Sequence, residues 1–241
     1  MDARTLTRRD LIGSATVAGM AATAVSWLGD VREAAAREPA GGDGPSALAT
    51  GELVPLGYES VPDFLSKEQV GLHHEKHYGG ALKGLKGIEA RLYGSDGVSD
   101  RAARRELGKA QSAKANSVIL HELYFGGMRA EAGEPGETLA SAIKHRFGSP
   151  DRWRADFEAC ALSCNGWAML AAHPLNDRLY NVTSDAHDVG PLWFARPLLL
   201  IDMYEHAFYV DYRTDKGTYV GRFCEHIDWE AAERRLRATA R

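Results

Sequence analysis

Three stretches of this 241-residue chain place histidine beside carboxylate or further histidine at spacings that bear on metal chemistry. The last is Asp202-Met203-Tyr204-Glu205-His206, which follows the apolar run Pro197-Leu198-Leu199-Leu200-Ile201. An acid and an imidazole leaving a buried strand need a reason to be there, because a buried charge is costly unless paired or bound to metal. The first stretch is Leu72-His73-His74-Glu75-Lys76-His77, and the second is Leu120-His121-Glu122-Leu123-Tyr124. His73 and His77 share a face if their segment is helical, which leaves a two-histidine chelate open. The zinc-protease pattern His-Glu-x-x-His is absent: Phe125 stands where its second histidine would follow His121-Glu122.

Bringing these stretches together requires helices and a sheet. Residues 66–93 carry Val70, Leu72, His73, His77, Leu82, Leu85 and Ile88 near helical spacing. Ser66 with Gln69 predicts a capping box at the start, and Gly94-Ser95-Asp96-Gly97 ends the run. A second helix is expected over 100–128, with His121 late in it and Gly126-Gly127 as the stop. Two long helices joined by a short turn form a hairpin that can set His73 opposite His121. Residues 136–147 and 150–164 read as helices; Trp167–Ala172, Leu179–Thr183 and Leu198–Asp202 read as strands; 217–239 reads as a helical tail.

The three histidine segments, in this order, resemble the metal-binding signatures of the iron/manganese superoxide dismutases. Tyr58, Ser66-Lys67-Glu68, Gly166-Trp167 and Asp228-Trp229-Glu230 extend the resemblance over roughly residues 53–237. It implies an α+β fold: an N-terminal α-helical hairpin domain (51–134) and a C-terminal α/β domain (135–241) with a three-stranded antiparallel sheet. The metal, one iron or manganese ion per subunit with iron preferred, would lie between them on His73, His121, Asp202 and His206. Such a nitrogen and oxygen set suits iron, manganese or zinc and disfavours iron–sulfur clusters and Cu(I). The ligand count alone does not separate an open redox site from a closed zinc site. The implied reaction is disproportionation of superoxide to oxygen and peroxide.

The resemblance also assigns supporting roles. His77 becomes a residue of the substrate entrance, and Trp167 and Tyr124 wall the pocket unless they are plain core. Glu205 and Tyr209 match residues of a dimer interface, implying a homodimer or a dimer of dimers. Two positions depart from the pattern. Ala81 stands where most members carry a channel tyrosine, which raises the alternative of a metal-binding homologue with weak or no dismutase activity. Ser117 stands where a glutamine can precede the second ligand, and His187 aligns with the later glutamine. His187 either hydrogen-bonds solvent at the metal or is a surface-loop histidine.

A net charge of −4 with no basic block carries no nucleic-acid footprint, so any attraction of an anion must be local. Residues 1–36 differ in kind. Thr7-Arg8-Arg9-Asp10-Leu11-Ile12 precedes a mild apolar stretch, and Ala34-Ala35-Ala36 offers a cleavage site. This reads as a twin-arginine signal peptide and implies export by the twin-arginine translocation machinery to the periplasm, cell wall or exterior. Residues 37–50 read as a flexible linker. Cys160, Cys164 and Cys224 are odd in number and are expected to be buried apolar fillers.

Overall fold

The computed structural model describes residues 44–131, 133–189 and 192–239. The leader read at 1–36 lies outside the described residues. In chain order these hold α1 (Ala47–Thr50), α2 (Lys67–Leu72), a π-helical segment (His73–Tyr78), α3 (Gly79–Tyr93) and α4 (Arg101–Phe125). Then come α5 (Glu137–Phe147), α6 (Pro150–Leu162), β1 (Trp167–His173), β2 (Arg178–Ser184) and β3 (Arg196–Asp202). A 3-10 turn (Glu205–Ala207), α7 (Tyr209–Tyr212), α8 (Lys216–Glu225) and α9 (Trp229–Thr239) complete the series.

The helix starts are set by short polar side chains. Asp100 Oδ1 accepts the Ala103 N–H at the head of α4, and Ser149 Oγ accepts the Arg152 N–H one residue before Pro150 opens α6. α5 begins after Gly136, which has no side chain to offer. Glu233 of α9 supplies the acceptor instead, taking the Leu139 N–H at 2.8 Å. The capping box expected at Ser66 is only half present. Ser66 Oγ accepts from Gln69 N–H, but the Gln69 side chain turns away to the His206 carbonyl.

The sheet order is β2-β1-β3, antiparallel throughout. Its register pairs Trp167 at the head of β1 with Ser184 at the end of β2 and Asp202 at the end of β3. Leu198, Leu199, Leu200, Ile201 and Asp202 are all buried, because α4 and α9 pack against β3 while α6 covers β1 and β2. That double cover explains a continuous apolar run where one wet face would give alternation. Gly166, just before β1, is held to glycine by sterics: a Cβ there would lie 2.2 Å from the Ser184 carbonyl oxygen. Its own carbonyl accepts the Met203 N–H, fixing the chain as it leaves β3.

Four expectations need correction. Residues 47–50 are not linker: Ser46 caps α1, and Ala47 is fully buried with its N–H on Glu122 Oε1. The first long helix is interrupted by the π-helical segment at His73–Tyr78. The tail is two helices, because Asp228 restarts the chain by capping Ala231 N–H after His226–Ile227. Cys160 is only half-buried, whereas Cys164 and Cys224 are buried; all three thiols are free.

Candidate metal centre

His73 opens the π-helical segment and His121 lies in the last turn and a half of α4. Packing of α3 on α4 turns the two imidazoles toward each other, with ring centroids 5.0 Å apart. β3 delivers Asp202 from the opposite side, and the 3-10 turn swings His206 back over it. Asp202 Oδ2 lies 3.2 Å from His73 Nε2, 3.3 Å from His206 Nε2 and 3.9 Å from His121 Nε2. One ligand atom from each of the four residues falls within 4.8 Å of the others.

The partners of the remaining ring and carboxylate atoms decide what this cluster is for. His121 Nδ1 donates to the Ser117 carbonyl at 2.6 Å, which leaves Nε2 as a bare lone pair. Asp202 Oδ1 accepts from Tyr204 N–H, leaving Oδ2 free. Oδ2 and the three inward Nε2 atoms are buried without a hydrogen-bond partner. Each such atom costs about 1–3 kcal/mol when left unsatisfied. A cation of about 2 Å bond length at their centre would satisfy all four at once. Burial lowers the pKa of His73 and takes that of His121 to about 3, so both rings are neutral donors of electron pairs. Burial alone would raise the Asp202 carboxyl, but the imidazoles of His206 and His73 outweigh it and hold the acid well below its usual range.

The other expected site residues are also placed. His74 is tied to the Val54 carbonyl and stands apart from the four. His77 is exposed and outside the ligand group, so a His73–His77 chelate is not formed; its ring stacks on His206 at 3.7 Å and 7°. Trp167 sits edge-on to His121 at 5.3 Å, and Tyr124 lies 5.3 Å from His73. His187 is half-buried rather than free on a loop, because Trp167 Nε1–H donates to its Nδ1 at 3.0 Å. An indole N–H can only donate, so neutral His187 carries its proton on Nε2. Ala81 is buried in the core, and Tyr78 is committed to Glu122 and Val54, so neither gives the site a phenol. Glu205 is exposed with no ion pair among the described residues, and Tyr209 is partly exposed beneath the Arg213 guanidinium.

Sequence reasoning missed several residues at the site. Phe125 packs on His73 at 5.0 Å, and Tyr204 stacks on His206 at 5.4 Å and 10°. Phe125 falls four after His121 on one helix face, a spacing that would have found it. Buried Gln69 donates to the His206 carbonyl at 2.7 Å and accepts the Val210 N–H, bracing the loop that carries the fourth ligand. Tyr219 donates to the Asp202 carbonyl at 2.8 Å. Its one proton is thereby used, so Tyr124 donates to Tyr219 across 2.9 Å.

Comparison with known proteins adds a second line. Residues 135–235 match the family model described as iron/manganese superoxide dismutases, C-terminal domain. The chain is 34% identical over 188 residues to a manganese superoxide dismutase of Halobacterium salinarum, an alignment covering 78% of this chain and 94% of that protein. It is 34% identical over 195 residues to an iron superoxide dismutase of Cupriavidus metallidurans, covering 79% and 98%. Against an iron superoxide dismutase of Methanothermobacter thermautotrophicus the identity is 33% over 193 residues, covering 76% and 92%.

Proposed function

This chain belongs to the iron/manganese superoxide dismutases, and from that membership we propose that it disproportionates superoxide at a single iron or manganese ion after export from the cytoplasm. The observation that carries the reading is the convergence of Oδ2 of Asp202 with Nε2 of His73, His121 and His206, all four without another partner. Those residues would hold the ion. A bound iron or manganese, cycling between two oxidation states, would accept an electron from one superoxide and return it to another.

The chain's own groups set the terms of that exchange. Phe125, Tyr124 and Trp167 pack on the rings of His73 and His121 and exclude bulk water from both. His206 is the one ligand whose side chain is partly exposed, so substrate approaches on the side where His77 stacks over it. His187, fixed by Trp167, offers an Nε2–H to a water or substrate oxygen entering there. Peroxide formation needs two protons, and with Ala81 in place of a channel phenol the imidazoles of His77 and His187 and the Tyr204 phenol are the groups beside the ligand rings that could pass them.

Of the two metals iron is our preference; the relatives above include enzymes of each kind. A homodimer, or a dimer of dimers, is supported by exposed Glu205 beside ligand His206 and by the exposure of Tyr209 and His77. Export rests on the paired arginines and apolar stretch of residues 7–29, and no helix among the described residues is long and apolar enough to cross a membrane.

The test is superoxide decay by stopped flow, normalised to bound iron and manganese. Decay near the diffusional range per metal is the expected result. Full metal occupancy with decay no faster than buffer would leave a metal-binding homologue without this activity.

A further inference from the structure

The sheet has two ends, and the metal centre uses one of them. Trp167, Ser184 and Asp202 are paired at that end. At the other, β1 closes on His173, β2 opens at Arg178 and β3 opens at Arg196, with His173 paired to Arg178 and Ala172 to Arg196. The 7 residues of β1, at about 3.4 Å each, put roughly 20 Å between the two ends. Two turns project from the far end. The β1–β2 hairpin carries Leu175, 77% exposed. The turn 192–195, closed by the Ala195 N–H on the Leu192 carbonyl at 3.1 Å, leads straight into β3 and carries Trp193, 88% exposed, and Phe194, 74% exposed. Single apolar side chains on a surface are ordinary, but three large ones gathered on adjoining turns are not. Trp153, Trp167 and Trp229 are all buried, so Trp193 is the exception among the described tryptophans. Phe194 has φ 66°, a conformation that glycine or asparagine adopts without the cost a bulky side chain meets.

The charges at this end are positive. Arg178 and Arg196 are exposed and form no ion pair among the described residues; the Arg196 guanidinium donates to the Ala238 carbonyl, which fixes it without neutralising it. Exposed Arg146, from the last turn of α5, donates to the carbonyl of Leu179, the second residue of β2. The two turns and the strand ends contribute one carboxylate, Asp177. On a chain of net charge −4, three arginines against that acid make a local positive surface. A second copy of the chain is the poorer occupant. A two-fold contact would set these arginines against their own counterparts, and two narrow turns offer little of the roughly 1,000 Å² that a stable contact needs. An anionic lipid surface suits both features: aromatic rings seat at headgroup level, and arginines meet the phosphates around them.

We propose that the end of the sheet remote from the metal centre is a docking surface for anionic lipid headgroups, with Trp193, Phe194 and Leu175 seated at the interface and Arg178, Arg196 and Arg146 on the phosphates. The chain would rest on a membrane surface reversibly, by its turns, with the metal end directed away from the lipid. This surface is independent of the dismutase reading above.

The experiment offers the full chain phosphatidylglycerol vesicles or phosphatidylcholine vesicles. Binding is read by co-sedimentation, and insertion by quenching of tryptophan emission with brominated acyl chains. Residues 1–36 are common to every variant, so differences between variants belong to the patch. Wild type is expected to prefer phosphatidylglycerol. Trp193→Ser combined with Phe194→Asn should weaken that binding about tenfold or more. Asparagine keeps the turn, because it tolerates positive φ. Arg178→Gln and Arg196→Gln should each weaken it about fivefold, an effect that fades in high salt. Trp193→Phe keeps the apolar tip, so binding should persist while quenching falls. All variants should match wild type in helical dichroism and metal content. Equal vesicle binding by wild type and the Trp193→Ser, Phe194→Asn variant overturns the proposal, as does binding indifferent to lipid charge. A sedimentation mass that falls in that variant while vesicle binding is unchanged also overturns it, and makes the patch a contact between copies.

Discussion

Replacing Gln69 tests whether the metal centre is held from outside its ligands. The side chain is buried and joins α2 to the loop 203–210, donating to the His206 carbonyl at 2.7 Å and accepting the Val210 N–H at 3.2 Å. Gln69→Leu keeps the volume and removes both bonds. It leaves one carbonyl and one N–H without partners, at about 1–3 kcal/mol each, or roughly 2–6 kcal/mol together. For a folded body of this size each kcal/mol is worth about 2–4 °C, so the Tm should fall on the order of 10 °C. Loss of such an outer brace typically weakens metal binding about 10- to 100-fold. Gln69→Glu separates the two effects. It keeps an acceptor for Val210 but faces the His206 carbonyl with a second acceptor, so metal affinity should fall as far while stability falls less. The assays are thermal unfolding and metal retention against a graded chelator. A Gln69→Leu protein that unfolds within about 2 °C of wild type and keeps its metal would refute the reasoning.

Three further outcomes follow from other parts of the structure. In metal-free protein, His121 titrates near 3 when folded and near 6.5 when unfolded, so the unfolded chain binds more protons between those values. Its contribution is complete above about pH 6.5 and is lost as pH falls, at up to about 1.4 kcal/mol per unit; urea midpoints at pH 7 and 5 measure it, and an unchanged midpoint would contradict it. Arg235, its guanidinium buried and its pKa lowered to about 10 by that burial, donates to the carbonyls of Leu198 and Gly126. Arg235→Met should cost about 2–4 kcal/mol in denaturant unfolding while leaving metal content per folded chain unchanged. A chain begun at Gly51 lacks α1 and with it the Ala47 N–H on Glu122, and should lose about 1–3 kcal/mol relative to one begun at Asp43.

The grouping of His73, His121, Asp202 and His206 was legible through the family resemblance, since spacing alone left His77 open as a partner for His73. Asp202 and His206 stand four apart after a run that only burial explains, and His73 and His121 sit on helices with plain periodicity. The hairpin and the three strands were legible from apolar periodicity, and the antiparallel arrangement from the resemblance. What escaped depends on contacts without local pattern. Gln69 reads as half of a capping box, yet its partner lies 137 positions away. Tyr204 has no local pattern and only the folded chain sets it against His206, whereas Phe125 had a signal in its spacing from His121. Ala47 escaped because small residues look like linker until a buried carboxylate takes their N–H. The break before α9 carried a signal in Asp228, masked by apolar spacing that runs on through Ile227 and Trp229.

The register that pairs Trp167 with Asp202 also has a temporal side. The first two ligands sit on consecutive helices of one hairpin, a local arrangement that a chain reaches quickly. The third arrives on the last strand, 81 positions beyond His121, so joining it to the hairpin closes a longer loop. The fourth follows on a turn that Gln69 must brace from near the start of the hairpin. The centre is therefore complete only once hairpin, sheet and turn are all in place, and ion capture would report completed assembly. During refolding, metal uptake should lag the return of helical signal and coincide with the return of near-ultraviolet dichroism from Trp167 and Tyr124.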